Sequence, residues 1–140
     1  MPPLEAAPPG DETSGYEVLG SAPAETVETV GEGWLLTVRL PATSPLFAGH
    51  FPGHPILPGV AQLALVTRAL HDWRGAGIAL AGVRSWKLRQ PAGPGDTLAV
   101  RLSVRGTDEQ DAESVSFVIE KNGETVSRGT VLLGEAAAWR

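Results

Sequence analysis

The chain has 140 residues, 42% of them hydrophobic and 19% charged, with a formal net charge of −5 and no cysteine. It is long enough for one domain with a substantial core and too short for two. The acidic balance disfavours a nucleic-acid-binding protein, and the lack of cysteine excludes disulfides and thiol chemistry. No apolar run approaches the roughly 20 residues that cross a bilayer, so no membrane partner is expected. The N-terminus has no basic segment followed by an apolar one, so we expect a cytoplasmic location.

The first third of the chain predicts a tail followed by a pair of strands. Residues 1–15 are rich in proline, glycine and acids and predict a disordered tail, which leaves residues 16–140 as one domain. Tyr16 to Val30 predicts one or two extended segments with few apolar positions. Gly31 to Gly33 then predicts a turn, and Trp34 to Leu40 a strand.

The remainder predicts one helix and then a run of antiparallel strands. Gly59 to Trp73 has apolar residues at helical spacing, with further apolar residues on the other faces, so the helix is predicted to be buried nearly all round. The strands that follow are predicted at Ile78–Leu88, Thr97–Arg105, Glu113–Lys121 and Thr125–Leu133. Asn122-Gly123 is a strong hairpin signal, and Pro94-Gly95-Asp96 marks another turn. This order of elements predicts an α+β domain.

A stiff loop precedes the helix and carries the most specific motif. Three X-Pro bonds, at Pro52, Pro55 and Pro58, keep the residues before them out of helical conformation. The motif GHFPGHPILPGV resembles the signature of 3-hydroxyacyl-(acyl carrier protein) dehydratases of the FabA/FabZ type. The sequence HPILPGVAQL, without a preceding PHRYPFL-type segment, is more similar to the ApeI-like dehydratases. A second block, AGVRSWKLRQPAGPGD, resembles the strand and turn that follow the helix in that family, and the resemblance covers Ala24 to Leu133.

The resemblance implies a fold, a reaction and partners. The fold would be a hotdog: a long central helix wrapped by a curved antiparallel sheet of about five or six strands. The reaction would be dehydration of a 3-hydroxyacyl-(acyl carrier protein) thioester to a trans-2-enoyl thioester, in fatty acid, aryl polyene or polyketide synthesis. The substrate would arrive on the phosphopantetheine arm of acyl carrier protein, with no metal and no organic cofactor. The protein would form a homodimer, or a heterodimer with a related hotdog subunit.

His50 and the start of the helix are the candidate reactive groups. Removing the C2 proton of a 3-hydroxyacyl thioester needs a base whose pKa lies near the working pH, and imidazole is the usual choice. By resemblance, His50 is this catalytic base. The free amides at a helix N-terminus suit a thioester oxygen that gains negative charge, and a glycine there allows close approach. By resemblance, Gly59, with the following Val60, polarises the thioester carbonyl.

The chain departs from the family at position 64. The dehydratases carry a Glu or Asp fourteen residues after the histidine, whereas this chain has Ala64. Gln62 lies about 200° around the helix from Ala64 and should face elsewhere. Thr67 and Arg68 share the face of Ala64 and are the candidate substitutes, although neither is a carboxylic acid. Three interpretations stay open: a working dehydratase, an impaired subunit that binds acyl carrier protein beside an active partner, and another thioester reaction such as hydrolysis by a thioesterase or isomerisation.

Two further features concern the carrier and metals. Seven basic residues lie between Arg68 and Arg105 against two acids. Lys87 and Arg89 on one strand face predict a contact for an acidic carrier protein, although a solvated sheet face would look the same. His50 and His54 are four residues apart, but the intervening prolines rule out the helix that would make them a ligand pair, so we predict no metal.

Overall fold

A computed structural model describes residues 15–25, 32–47, 56–107 and 112–135. In chain order these residues form six strands, a short 3-10 turn and one α-helix. The elements are β1 (Glu17–Glu25), β2 (Glu32–Arg39), the 3-10 turn (Pro45–Phe47), α1 (Gly59–Arg74), β3 (Ile78–Leu88), β4 (Thr97–Thr107), β5 (Glu113–Lys121) and β6 (Glu124–Glu135). Residues 1–14 of the predicted tail lie outside the described residues.

The strands form one sheet in the order β1-β2-β4-β5-β6-β3, with every neighbouring pair antiparallel. The chain leaves β2, passes through α1 and enters β3 at the far edge, so the helix spans the face of the sheet between its two ends. One helix packed on a six-stranded antiparallel sheet confirms the predicted α+β class. The crossover also places β3 beside β6 rather than beside β4.

The core lies between the inner face of the sheet and one side of α1. It follows the predicted alternation, because every second residue is buried from Leu98 to Leu102 in β4 and from Val115 to Ile119 in β5. Its fully buried residues include Leu98, Val100 and Leu102 of β4, Val115, Phe117 and Ile119 of β5, and Leu65, Val66, Ala69 and Leu70 of α1. At roughly 1.5–3 kcal/mol for each large apolar side chain, this burial is the main force that holds the helix on the sheet.

The helix is not buried all round, contrary to the sequence prediction. Val60 is 75% exposed, and Ala64, one turn later, is exposed as well. A single sheet covers only one side of a helix, so an apolar sequence on the opposite side remains open in a single chain. This exposed strip, Val60 and Ala64, lies at the start of the helix, where the candidate site was predicted. The helix ends as expected at Gly75, whose backbone φ is 95° and whose amide bonds to the His71 carbonyl.

Two turns lie where they were predicted, and a third does not. Asn122 and Gly123 both have positive φ, 54° and 80°, as a type I′ hairpin between β5 and β6 requires. Gly95 has φ 85° after Pro94, and the amide of Asp96 donates to the carbonyl of Gly93, which is the geometry of a type II turn. The turn predicted at Gly31 to Gly33 is wrong in its placement, because β2 already begins at Glu32.

Candidate active site

The N-terminus of α1 has no side-chain cap. Pro58 has extended dihedral angles, and its carbonyl accepts hydrogen bonds from the amides of Ala61 and Gln62 at 3.0 and 3.1 Å. The two preceding amides, of Gly59 and Val60, have no hydrogen-bond partner within the described parts of the chain. Free amides and the positive end of the helix dipole together favour an oxygen that carries negative charge. The two residues predicted to polarise a thioester carbonyl therefore have amides that are free to donate, and their role stays a prediction.

The segment just before the helix is fixed by buried polar contacts. The amide of Leu57 donates to the carbonyl of Ala92 at 2.7 Å, which ties the segment to the turn before β4. Gln62 is 3% exposed; its Nε2 donates to the Leu57 carbonyl at 3.3 Å, and its Oε1 accepts from the hydroxyl of Ser127 at 2.7 Å. Gln62 thus connects the first turn of α1 to β6 and holds the helix start in place. Its burial also confirms that it faces away from Ala64.

Trp86 of β3 lies directly against Gly59. A Cβ atom built on Gly59 would lie 2.6 Å from Cη2 and 3.0 Å from Cζ2 of the Trp86 ring. A Cβ this close to the ring would force Trp86 or the helix to shift, so packing favours a glycine here in addition to any need for substrate access. The indole nitrogen of Trp86 is buried and has no hydrogen-bond partner in the described structure.

The position of the predicted base, His50, is not part of the described structure. Residues 48–55, which include His50 and His54, lie outside it, so the role of His50 and the absence of a metal ligand pair stay predictions. The described residues contain no group of three histidine, cysteine, aspartate or glutamate side chains that could hold a metal ion. They also contain no helix long and apolar enough to cross a membrane.

Of the two candidate substitutes for the missing acid, Arg68 is already engaged. Its Nε donates to both carboxylate oxygens of Asp72 at 3.0 and 3.1 Å, and Asp72 also accepts from the hydroxyl of Ser21 at 2.6 Å. That hydroxyl in turn accepts from the indole N–H of Trp34 at 2.8 Å. Burial opposes the charge on Arg68, but hydrogen bonds and charge from Asp72 and Tyr16 outweigh it and raise the pKa of the guanidinium. Arg68 is therefore a permanently charged structural group held toward β1 and β2.

No acidic residue of α1 lies close enough to Ala64 to replace the missing acid. Asp72 is the one acidic residue of α1, two turns beyond Ala64, and it is occupied by Arg68 and Ser21. Thr67 is half-buried on the adjoining face and remains a candidate for orienting a water molecule. Ala64 itself presents only a methyl group on the exposed strip.

A basic pocket lies on the opposite face of the sheet from Trp86. It has a volume of about 340 Å³, and its cationic lining residues are Lys87 of β3, Arg105 of β4 and Arg128 of β6. Lys87 is the direct cross-strand neighbour of Arg128, and none of the described residues that line the pocket is acidic. The hydroxyl groups of Ser85, Ser116 and Thr130 also line it. Of the predicted carrier-contact pair, Lys87 is in this pocket, whereas Arg89 follows the end of β3 and is exposed outside it.

Comparison with known proteins places the chain among dehydratases. The sequence profile of the ApeI-like family, described as ApeI dehydratase, matches residues 26–130. The chain belongs to the ApeI-like dehydratase family. The 3-hydroxyacyl-[acyl-carrier-protein] dehydratase FabZ of Thermus thermophilus is 35% identical over 100 residues, which cover 54% of this chain and 70% of that protein. The FabZ of Roseiflexus castenholzii is 46% identical over 68 residues, 44% of this chain and 46% of that protein.

Solved structures of similar shape include a dehydratase complex and a hydratase. The dehydratase heterocomplex ApeI:P from Xenorhabdus doucetiae contains a chain with a TM-score of 0.65 and 26% identity, and the match covers 83% of this chain and 95% of that one. The (R)-hydratase from A. caviae has a TM-score of 0.60 at 20% identity and shows the fold alone; it covers 79% of this chain and 98% of that one. These matches confirm the predicted hotdog fold and the predicted dehydratase, a lyase. They support 3-hydroxyacyl-(acyl carrier protein) dehydration as the function of this ApeI-like chain.

Two residues of this ApeI-like site escaped the sequence analysis. In the sequence Trp86 is one apolar residue of a strand, and nothing local indicates that it reaches Gly59. Gln62 does carry a signal, because a polar residue within the apolar pattern of a helix indicates a buried hydrogen bond. Ser127, its partner, lies 65 residues away in the chain.

Proposed function

We propose that the protein removes water from a 3-hydroxyacyl thioester carried on acyl carrier protein and releases the trans-2-enoyl thioester. The observation that carries the proposal is the open amide end of α1 at Gly59 and Val60, in a chain of the ApeI-like dehydratase family. These two amides are preorganised because the helix start is held by Gln62, Leu57 and Ser127. A donor fixed in this way needs no reorganisation as charge develops on the bound oxygen.

The proposed elimination begins with removal of the C2 proton and ends with loss of the C3 hydroxyl. His50 takes the proton from C2, and the electrons of that bond move toward the thioester carbonyl, whose oxygen gains negative charge. Gly59 and Val60 donate hydrogen bonds to this oxygen, and each such donor is typically worth about 10²–10³ in kcat. The electrons then return to form the C2–C3 double bond while the C3–O bond breaks. The leaving hydroxyl takes up a proton, from a water molecule oriented in the site or from an acid of the partner subunit, and departs as water.

This chain has no acid at position 64 to give a proton to the leaving group. Loss of a general acid costs about 10²–10⁴ in rate, so a chain that works alone would be slow and would depend on water, oriented by a group such as Thr67. The second candidate function follows from Ala64: an ApeI-like subunit that contributes His50 and the amides of α1, while a related hotdog subunit contributes the acid. The similar Xenorhabdus protein was solved as a dehydratase heterocomplex, which favours this arrangement.

We propose that the partner subunit covers the exposed strip of α1 and the outer edge of β3, which pairs with no second strand among the described residues. Val60 at the start of α1 is 75% exposed, and the edge strand β3 exposes Val83 by 43% and Leu88 by 61%. Large apolar side chains beside an unpaired strand edge are typical of a surface that another chain covers. A partner on this surface would bring its own residues to the side of α1 where Ala64 lies, so the site would be complete only in the dimer.

We propose that acyl carrier protein docks at the basic pocket of Lys87, Arg105 and Arg128. Within the described residues none of the three has a salt-bridge partner, whereas Arg101 on the neighbouring surface is paired with Glu120. Unpaired cations in a concave site attract an acidic partner and speed its association. Trp86, which precedes Lys87 in the chain, contacts Gly59 on the other face, so the pocket and the amide end of α1 are on opposite faces of one edge strand.

Mass spectrometry of the acyl group distinguishes the candidate functions. The protein is incubated with a 3-hydroxyacyl carrier thioester, first alone and then with a co-expressed related hotdog subunit. Loss of one water by the chain alone supports a self-sufficient dehydratase, and loss of water only with the partner supports the shared site. Loss of the whole acyl group would instead support a thioesterase. An unchanged acyl carrier in both mixtures would contradict dehydration and leave a carrier-binding subunit.

A further inference from the structure

The indole nitrogen of Trp86 is a buried hydrogen-bond donor without a partner. Its accessible surface is negligible, and none of the described residues accepts its hydrogen. Such a group is costly to bury, and the great majority of buried polar atoms in proteins are paired, so an exception calls for an explanation. Trp34 shows the ordinary case in the same protein, because its indole N–H donates to the Ser21 hydroxyl at 2.8 Å.

The unpaired donor lies beside the free amides of α1. The ring atoms that meet a Cβ built on Gly59 are Cη2, Cζ2 and Cζ3, and Nε1 is only two covalent bonds from Cζ2. Because the Cα–Cβ bonds of a helix tilt toward its N-terminus, the ring lies on the side to which the Gly59 and Val60 amides point. The indole N–H and the two amides are thus neighbouring donors without acceptors at one end of the helix.

Trp86 is held in this position by the sheet. It is the cross-strand neighbour of Gly129, which in turn pairs with Phe117. A side chain on Gly129 would collide with the Ser85 carbonyl and would lie 3.0 Å from Cε2 of Phe117, so the glycine allows β3 and the Phe117 ring to pack closely beside Trp86. The ring is therefore confined between the inner face of the sheet and the first turn of α1.

We propose that the indole N–H of Trp86 donates a hydrogen bond to the carbonyl oxygen of the bound acyl thioester, as a third donor beside the amides of Gly59 and Val60. The proposal rests on the proposed function, since it takes the amide end of α1 as the thioester site. The donor left unpaired in the free protein gains its acceptor only when substrate binds. The bond strengthens as the oxygen gains charge, so it contributes more to the transition state than to the bound substrate.

Nuclear magnetic resonance on ¹⁵N-labelled protein tests the contact without catalysis. The probe is a saturated acyl-pantetheine thioester, which has the carbonyl but no hydroxyl to eliminate, and pantetheine alone is the control ligand. Trp86→Phe assigns the Trp86 indole signal. We expect the acyl thioester, and not pantetheine, to move the Trp86 indole proton downfield together with the Gly59 and Val60 amide signals. The Trp34 indole signal, already bonded to Ser21, should stay in place.

The results separate this proposal from the proposed function. If the Gly59 and Val60 amides respond while the Trp86 indole does not, the thioester site stands and Trp86 is not a donor to it. If none of these signals responds to the saturating acyl thioester, the thioester site at α1 and the Trp86 contact both fail. An indole that responds equally to pantetheine alone would also overturn the proposal, because that ligand lacks the acyl carbonyl.

Kinetics of Trp86→Phe provide a second readout. The variant removes the indole N–H together with the outer ring that meets Gly59, and we expect kcat to fall about ten- to a hundredfold with little change in KM, somewhat less than for a backbone donor. Its melting temperature should fall, because the smaller ring leaves a cavity beside Gly59. Trp34→Phe is the matched control: it loses a donor that is bonded to Ser21, and it should lower stability while leaving kcat unchanged. An unchanged kcat in Trp86→Phe would overturn the proposal.

Discussion

Replacing Gly59 by alanine tests the packing at the start of the helix. The added Cβ would lie 2.6 Å from Cη2 of Trp86 and 3.0 Å from Cζ2, so the ring or the helix must shift. Alanine gains up to about 1 kcal/mol over glycine in helix propensity, and overpacking of this kind costs about 1–3 kcal/mol. We therefore expect a net destabilisation of about 1 kcal/mol, which for a chain of this size lowers the melting temperature by about 2–4 °C.

Urea unfolding of four variants measures whether Trp86 is the cause. The set is the parent, Gly59→Ala, Trp86→Leu and the double variant, which together form a double-mutant cycle. If the collision with the ring is responsible, Gly59→Ala should destabilise the parent and be neutral or stabilising in the Trp86→Leu background. Gly77→Ala is the matched control, because a Cβ there meets nothing within 4 Å. Equal destabilisation by Gly59→Ala in both backgrounds would refute the packing argument.

Four further predictions concern the buried polar bridge, position 64, the basic pocket and the charge of Arg68. Ser127→Ala leaves the buried Gln62 oxygen unpaired and should lower the free energy of unfolding by about 1–3 kcal/mol in urea, whereas Ser103→Ala, without that partner, should cost less. Ala64→Glu should leave stability unchanged, since the site is exposed, and should raise the dehydration rate of the isolated chain by about 10²–10⁴; no gain would mean that the acid belongs elsewhere. Lys87→Glu with Arg128→Glu should weaken carrier binding and reduce its salt dependence, whereas Arg39→Glu, at a residue already paired with Glu17, should do neither, and equal effects would reject the pocket as the docking site. The pKa of Arg68 is raised in the folded protein, so the contribution of its charge to stability is complete below the pKa of the unfolded chain and is lost only as pH rises through the higher folded value. Between pH 6 and 9 the free energy of unfolding should therefore depend on pH in the same way in the parent and in Arg68→Leu.

The sequence predicted those features that depend on neighbouring residues. The alternation of Leu98, Val100 and Leu102 assigns a face to β4, and Asn122-Gly123 accepts the positive φ of a type I′ turn. Pro58 and Gly59 place the start of the helix, because a proline before the first turn stops the preceding chain from being helical. The dehydratase motif then added the fold and the family, while the roles that it gives to the loop residues stay predictions.

The features that depend on the order of strands in the sheet could not be predicted from the sequence. Trp86 meets Gly59, and Lys87 meets Arg128, only because the chain crosses from α1 to the far edge of the sheet and β3 pairs with β6. The apolar pattern of α1 indicated burial on all sides, yet a sheet in one chain covers one side, which left Val60 exposed. Sequence periodicity reports how apolar a face is and not which chain covers it.

The mass of the acyl group after incubation of a 3-hydroxyacyl carrier thioester with the protein tests the central assignment most directly. The protein, alone or with the subunit that completes its site, should convert the substrate to a product lighter by one water, and His50→Ala in the same mixture should not. An acyl group that keeps its mass with the native protein in both settings, or loses water equally well with His50→Ala, would contradict a dehydratase site built from His50 and the amide end of α1.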